Sequence, residues 1–206
     1  VCTGCHTFMK DETGADVSID KSWSATMLAN ASKDPYYLAT VRSEVIHAPQ
    51  LRETVEGKCA TCHMPMALQT AKATGEKTLM LDEGFRDSAH PLHGLAADAI
   101  SCSLCHQGEA DNFGSDDSFS GGYAIDFKLA AGERLSYGPY EVDPQQVTAM
   151  KASSGYIPVQ GLHMADSEHC ATCHNLVTPY VDAAGEVAGE FPEQAMYSEW
   201  LNSAYK

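Results

Sequence analysis

The sequence predicts a mainly α-helical chain with extensive coil and little β-structure. Apolar residues recur three or four positions apart, as in Trp23, Met27, Leu28 and Ala31, which is the spacing of one helix face. Stretches rich in Gly, Asp and Ser separate these segments and indicate coil. Four copies of the pattern C-x-x-C-H occur along the chain at irregular intervals. Because this spacing marks no domain boundary, we expect residues 1–206 to form a single unit.

The first half of the chain is predicted to hold three helices. The first runs from about Asp20 to Lys33. A second is expected from Pro35 to His47, because Asp34 is a typical N-cap and proline fits the first helical position. A short third helix from Pro49 to about Glu56 leads into the second copy of the pattern. Thr78 to Leu81 is interpreted as a short strand.

The second half is predicted to contain more coil. The acidic, Gly/Ser-rich segment Asp111–Gly122 is interpreted as a solvated loop. Short strand-like pieces and turns are expected over Tyr123–Pro144, followed by a helix over Gln145–Ala152. Val181–Val187 is typical of a small hairpin. The last helix is expected over about Pro192–Ala204.

The pattern C-x-x-C-H is the attachment signal of a c-type haem, because two closely spaced thiols can bond one edge of a porphyrin while the adjacent imidazole ligates its iron. Zinc knuckles and thioredoxin-like redox pairs also use C-x-x-C, but neither requires the following histidine. The four copies use all 8 cysteines of the chain. We therefore predict four haem c (heme c) groups per chain. Their attachment thiols are Cys2, Cys5, Cys59, Cys62, Cys102, Cys105, Cys170 and Cys173, and their iron ligands are His6, His63, His106 and His174.

A low-spin electron-transfer haem needs a second axial ligand, usually His or Met. The chain has 9 histidines, and those outside the four motifs suffice for bis-histidine ligation of every iron. Methionine ligation is the weaker alternative. The predicted distal ligands are, in order of preference, His93, His47 and His163, with His90 and His169 competing for the fourth place.

Charge and hydropathy restrict the partners and the location. The net charge of −15 argues against nucleic acid and anionic membrane surfaces as partners. No apolar run is long enough to predict a membrane span. Because c-type haems are attached outside the cytoplasm, we expect an exported chain. An extracellular or cell-surface location is preferred, and a periplasmic location is the alternative.

The motifs and their flanks resemble those of multihaem c-type cytochromes. The segment Cys59–Pro65 is similar to the C-x-x-C-H-M-P segments found there, and Asp34–Tyr37, Tyr137–Tyr140 and Phe191–Trp200 are also similar to sequence in that superfamily. The chain most resembles the tetrahaem cytochromes that polymerise into extracellular nanowires. That resemblance implies a haem-packed multihaem cytochrome c fold and electron transfer as one subunit of a filament. The alternatives are a soluble periplasmic tetrahaem carrier and the N-terminal part of a larger multihaem oxidoreductase.

Electron transfer is therefore the expected function, with redox proteins or extracellular electron acceptors as partners. An enzyme such as a multihaem nitrite or hydroxylamine oxidoreductase would need one open iron, and no C-x-x-C-K variant occurs, so no catalytic residue is predicted. A non-redox metal store is a third alternative. Only Val1 precedes Cys2, so the first haem needs cover from later residues or from a neighbour. We expect a homopolymer, with a soluble monomer as the alternative.

Overall fold

A computed structural model of the chain describes residues 2–130 and 132–206. The helices of these two ranges are α1 (Thr3–His6), α2 (Ile19–Ser24), α3 (Met27–Asn30), α4 (Pro35–His47), α5 (Arg52–His63), α6 (Pro65–Thr74), α7 (His93–Ala97), α8 (Cys102–Cys105), α9 (Pro144–Ser154), α10 (Ser167–His174) and α11 (Met196–Leu201). Short 3-10 helices cover Pro49–Leu51, Asp116–Ser118 and Leu162–Ala165.

Six strands form three separate two-stranded sheets in the same part of the chain. The strands are β1 (Gly108–Glu109), β2 (Ala124–Ile125), β3 (Leu135–Gly138), β4 (Ile157–Gln160), β5 (Leu176–Val181) and β6 (Val187–Gln194). β1 pairs antiparallel with β2, β3 pairs parallel with β4, and β5 pairs antiparallel with β6.

The predicted mainly α, haem-packed multihaem cytochrome c fold with little β is wrong. Helices hold 46% of the chain and strands 14%, so the fold is mixed α/β with small sheets. The residues described contain no group of three or more His, Cys, Asp or Glu side chains placed to hold a metal ion, so no metal-centred packing is present among them. The strands were underestimated because each is short and pairs with a segment elsewhere in the chain.

The helices of the first half follow their local signals closely. α4 confirms the predicted helix, and the Asp34 side chain caps it by accepting hydrogen bonds from the backbone N–H groups of Tyr36 and Tyr37. The helix expected over residues 20–33 is divided into α2 and α3, because Thr26 caps a new helix start by accepting from the Ala29 N–H. The helix after Pro49 continues as α5 through the second motif. Residues 78–80 are coil rather than strand.

The second half confirms two predictions and corrects a third. α9 lies where a helix was predicted, and Asp143 and Gln146 cap it with reciprocal hydrogen bonds. The predicted hairpin is present and longer, since β5 and β6 extend to Leu176 and Gln194. The last helix starts only at Met196, because the residues before it pair with β5.

Contacts divide the chain into two compact units, Val1–Leu104 and Cys105–Lys206, with the division inside α8. The prediction of one tetrahaem unit stays a prediction. The hydrophobic core of the first unit consists of Val41, Ala60, Met64, Ala67, Leu68, Ala71, Met80, Leu81, Phe85, Leu92 and Ala96. Among the residues described in the second unit, the buried hydrophobic side chains are Ala171, Leu176 and Tyr197. The second unit therefore has little apolar core of its own.

A buried carboxylate joins the loop after α6 to α5 in the first unit. The side chain of Glu56 is fully buried and pairs with the Arg52 guanidinium at 2.7 Å from Oε1 to Nε. Its other oxygen accepts hydrogen bonds from the backbone N–H groups of Met80 and Leu81. These contacts hold Met80, Leu81 and the nearby Phe85 in the core.

Candidate haem-attachment sites

Each C-x-x-C-H motif lies on a helical turn. The first motif is on α1, the second ends α5, the third covers α8 and the residue after it, and the fourth ends α10. Residues three and four positions apart share one helix face, so the two thiols and the imidazole of a motif project to the same side. None of the eight cysteines is half of a disulfide. Helical periodicity therefore predicts that the two thiols and the imidazole of a motif lie on one side of the turn, although the described residues contain no group of three such side chains already placed to hold a metal ion.

Two of the four motif histidines are oriented by backbone carbonyl groups. The Nδ1–H of His63 donates to the Ala31 oxygen at 3.0 Å, and the Nδ1–H of His106 donates to the Tyr137 oxygen at 2.5 Å. A carbonyl oxygen can only accept, so the proton is on Nδ1 and the lone pair is on Nε2. This is the tautomer with which histidine ligates a metal through Nε2.

An aromatic ring further fixes the imidazole of the second motif. The rings of Tyr37 and His63 are stacked, with 3.6 Å between centroids and 5° between planes. The Tyr37 hydroxyl lies 3.6 Å from the Met80 sulfur, so the ring is anchored to the core of the first unit. The orientation of His63 is thus set by a hydrogen bond at its edge and a ring at its face.

The other two motif histidines have different surroundings. The Nδ1 atom of His6 is buried and has no hydrogen-bond partner among the residues described. His174 is exposed at the end of α10. A buried polar nitrogen without a partner is costly, so His6 is the motif histidine whose surroundings are least complete in the protein alone.

The first thiol of the third motif lies close to the first motif, and both thiols concerned belong to the first unit. Burial raises the pKa of the Cys102 thiol, and the neighbouring Cys2 thiol raises it further. Two thiols from motifs far apart in sequence are therefore neighbours.

The predicted distal histidines of the first unit differ in tautomer. The Nδ1–H groups of His47 and His93 donate to the carbonyl oxygens of Ser43 and Phe85, at 2.8 Å and 3.0 Å. Both imidazoles therefore have their lone pair on Nε2. His90 is the opposite case, because its Nδ1 accepts from the Leu92 N–H at 3.1 Å and its proton must then be on Nε2.

His163 in the second unit has a hydrogen bond at one ring nitrogen and backbone close to the other. Its Nε2–H donates to the Gly108 oxygen at 3.0 Å. A Cβ added to Gly161 would lie 2.6 Å from Cε1 and 3.0 Å from Nδ1 of the His163 ring. The Nδ1 side of that ring therefore faces the backbone of Gly161. Tyr137 packs against the same ring, 4.8 Å between centroids. The Gly108 bond leaves the lone pair of His163 on Nδ1, the ring nitrogen on the Gly161 side, and its role as an iron ligand stays a prediction.

His169 remains as the distal candidate of the second unit. Its ring is 5.3 Å from the Phe113 ring and 6.2 Å from the His163 ring, between centroids. Burial lowers the pKa of His169, the neighbouring His163 and His106 side chains lower it further, and Asp166 raises it. A lowered pKa keeps the imidazole neutral, which is the form that ligates metals.

A cavity of about 250 Å³ lies beside the fourth motif. Cys170 and His174 line it together with Met196, Tyr197 and Trp200 from the last helix. The Tyr197 hydroxyl donates to Glu168 at 2.8 Å, which orients that ring. No site was predicted around these three residues from the sequence. Their closeness on the last helix is the signal that could have indicated one.

Comparison with known proteins identifies no relative. No protein family, curated protein or solved structure with which the chain was compared matches it. Within residues 2–130 and 132–206, no helix has both the length and the apolar character needed to span a bilayer.

Replacing Gly161 with Ala should destabilise the second unit by about 1–3 kcal/mol, because the new Cβ would force the His163 ring away from the Gly108 oxygen. Denaturant unfolding measures the loss. The matched control is Gly138→Ala, whose Cβ would meet nothing within 4 Å. Equal stabilities of the two variants would show that His163 is not held as described.

Proposed function

We propose that this chain binds four c-type haems covalently and transfers electrons among them. The observation that carries the proposal is that all four motifs lie on helical turns, whose periodicity puts two thiols and an imidazole on one side. Bound haem supplies an iron that takes up and releases single electrons. The proposal concerns the motifs and not the fold class, which is mixed α/β.

The protein groups around the motifs fit this role. The carbonyl oxygens of Ala31 and Tyr137 hold two motif imidazoles in the tautomer that ligates through Nε2. The cavity beside Cys170 and His174 provides space next to the fourth motif, and its wall includes the aromatic side chain of Trp200. Apolar surface in such a cavity favours an apolar ligand by about 25 cal/mol per Å² buried.

The chemistry of attachment predicts a defined product. At each motif, each thiol would add across one of the two vinyl groups of a haem, with sulfur on one carbon and hydrogen on the other, so two C–S bonds would form and no atom would leave. The mass of the chain then rises by one whole haem for every motif that reacts. The imidazole that follows the second thiol supplies the axial ligand.

The zinc alternative has less support. A structural zinc ion needs four convergent ligands, such as two C-x-x-C pairs facing one another. Among the residues that the structure describes, no two motifs bring their cysteine and histidine side chains together into such a group. Four separate motifs, each with its own imidazole, favour four separate haems.

The location and partners proposed here follow from the same chemistry. An exported chain that exchanges electrons with redox proteins or extracellular acceptors is compatible with haem attachment outside the cytoplasm. The charge of −15 opposes binding to nucleic acid. The homopolymer expected from the sequence stays a prediction, with a soluble periplasmic carrier and the N-terminal part of a larger oxidoreductase as its alternatives.

Intact-mass measurement of the chain, matured in a host that attaches c-type haems, should show the polypeptide plus four haem masses. The double variant Cys2→Ala/Cys5→Ala should lose one of them. Thr3→Ala is the matched control, because Thr3 lies exposed between the same two cysteines and contributes no thiol. Recovery of the bare polypeptide mass from the wild type would contradict the proposal.

A further inference from the structure

The position of the proton on the imidazole ring determines which histidines could serve as the second ligand of each of the four irons. A distal imidazole that ligates through Nε2 must carry its proton on Nδ1. His47 and His93 meet that condition through their bonds to backbone oxygens in the first unit. His90 does not, because its Nδ1 is the acceptor of a backbone N–H. The first unit thus offers one suitable imidazole for each of the first two motifs.

The second unit offers fewer imidazoles that could serve as distal ligands. Its histidines outside the motifs are His163 and His169, and His163 has one nitrogen bonded to Gly108 and the other against Gly161. Only His169 has no hydrogen bond to its ring among the residues described. Its ring lies 6.2 Å from the ring of His163, which bonds the Gly108 oxygen two residues after His106, the third motif histidine. We assign His169 to the third iron on that proximity, so no histidine of the second unit remains for the iron that His174 would bind.

The cavity at the fourth motif contains a different ligand. Haem irons in proteins are held by His, Cys, Met or Tyr. Cys170 is an attachment thiol, and the hydroxyl of Tyr197 is engaged with Glu168 at 2.8 Å. The thioether of Met196 lines the same cavity as His174 and is therefore the side chain there that can serve as a second axial ligand.

We propose that Met196 ligates the fourth haem opposite His174, and that this haem differs from three bis-histidine neighbours. The proposal rests on the proposed function of haem attachment. Methionine stabilises the reduced iron more than histidine does, so it raises the reduction potential of its haem. The fourth haem would then be the most oxidising of the set, and electrons entering elsewhere would collect there.

The test compares Met196→Leu with Met150→Leu in holoprotein whose intact mass shows four haems. Leucine conserves volume at both positions. Both methionines are partly exposed, at 46% and 39%, and Met150 lies on α9 of the same unit. We expect the oxidised wild type and Met150→Leu to show the weak charge-transfer absorption of a thioether bound to ferric haem, and Met196→Leu to lack it. The highest of the four reduction potentials should fall in Met196→Leu alone.

Ligand binding gives a second measurement. Reduced Met196→Leu should bind one carbon monoxide molecule per chain more rapidly than the wild type, because its iron has no ligand to displace. A wild type with four haem masses and no thioether absorption would overturn the Met196 assignment and leave haem attachment intact. The Met196 assignment would also be overturned, and haem attachment left intact, if both leucine variants gave the wild-type spectrum and reduction potentials. A wild-type mass without a haem at the fourth motif would instead overturn the proposed function of that motif, and the assignment with it.

Discussion

Glu56→Ala should lower the free energy of unfolding by about 3–5 kcal/mol, since breaking a buried ion pair from one side leaves its other members without partners. Glu56 is fully buried and bonds Arg52, Met80 and Leu81. The two backbone N–H groups would lose their acceptor inside the core. Arg52 would keep its weaker contacts to Asp82 and Glu83, at 3.5 Å and 3.6 Å, so we expect a value near the lower end of that range.

Denaturant unfolding followed by circular dichroism measures this effect. Glu53→Ala is the matched control, because Glu53 is exposed on the same helix, and substitutions of this kind change stability by less than about 0.5 kcal/mol. Glu56→Gln should fall between the two, since the amide keeps one oxygen acceptor while losing the charge. If Glu56→Ala unfolds at the same denaturant concentration as Glu53→Ala, the network does not hold the loop to α5.

Elements with strong local signals could be predicted from the sequence. α4 has an aspartate cap, a proline at its first position and a proline soon after its end, so both of its boundaries are set within a few residues. α9 has a similar start at Asp143. The motifs themselves were recognisable because their chemistry depends on consecutive residues.

The pairing of β3 with β4 could not be predicted, because each strand has four residues and the two are separated in sequence by α9. For the same reason the start of the last helix was misplaced, since Pro192 pairs with Val177 across the hairpin. Long-range contacts of this kind leave no signature in either segment alone.

The number of histidines in the sequence also could not show which of them have a ring nitrogen available for axial ligation. His163 and His169 are both near motifs in the sequence, and only their hydrogen bonds show that one is held by Gly108 while the other is not. The same holds for His90 and His93, which lie three residues apart and have opposite Nδ1 roles. Tautomer depends on which backbone group folds against the ring, and sequence spacing does not determine that.

If haem is attached as proposed, the second unit should lose most of its fixed structure when neither the fourth motif nor the third, whose Cys105 and His106 lie in that unit, can attach it. Ordering a residue costs about 1–2 kcal/mol of backbone entropy, and this must be offset mainly by apolar burial. The second unit buries three hydrophobic side chains among its described residues, whereas the first has a continuous core. A haem attached there would therefore contribute a large share of the second unit's stability, because it would bind only the folded state.

Hydrogen exchange of the quadruple variant Cys102→Ala/Cys105→Ala/Cys170→Ala/Cys173→Ala tests this directly. Backbone amides of α10, β5 and β6 should exchange at rates close to those of an unfolded chain, while amides of α4, α5 and α6 stay protected by their own core. The matched control, Cys2→Ala/Cys5→Ala/Cys59→Ala/Cys62→Ala, removes the same number of thiols from the first unit and should leave α5 and α6 protected, because Leu68 and Phe85 remain packed. Strong protection of α10 in the first variant would mean that the second unit folds without attached haem, and its few buried side chains would then be enough.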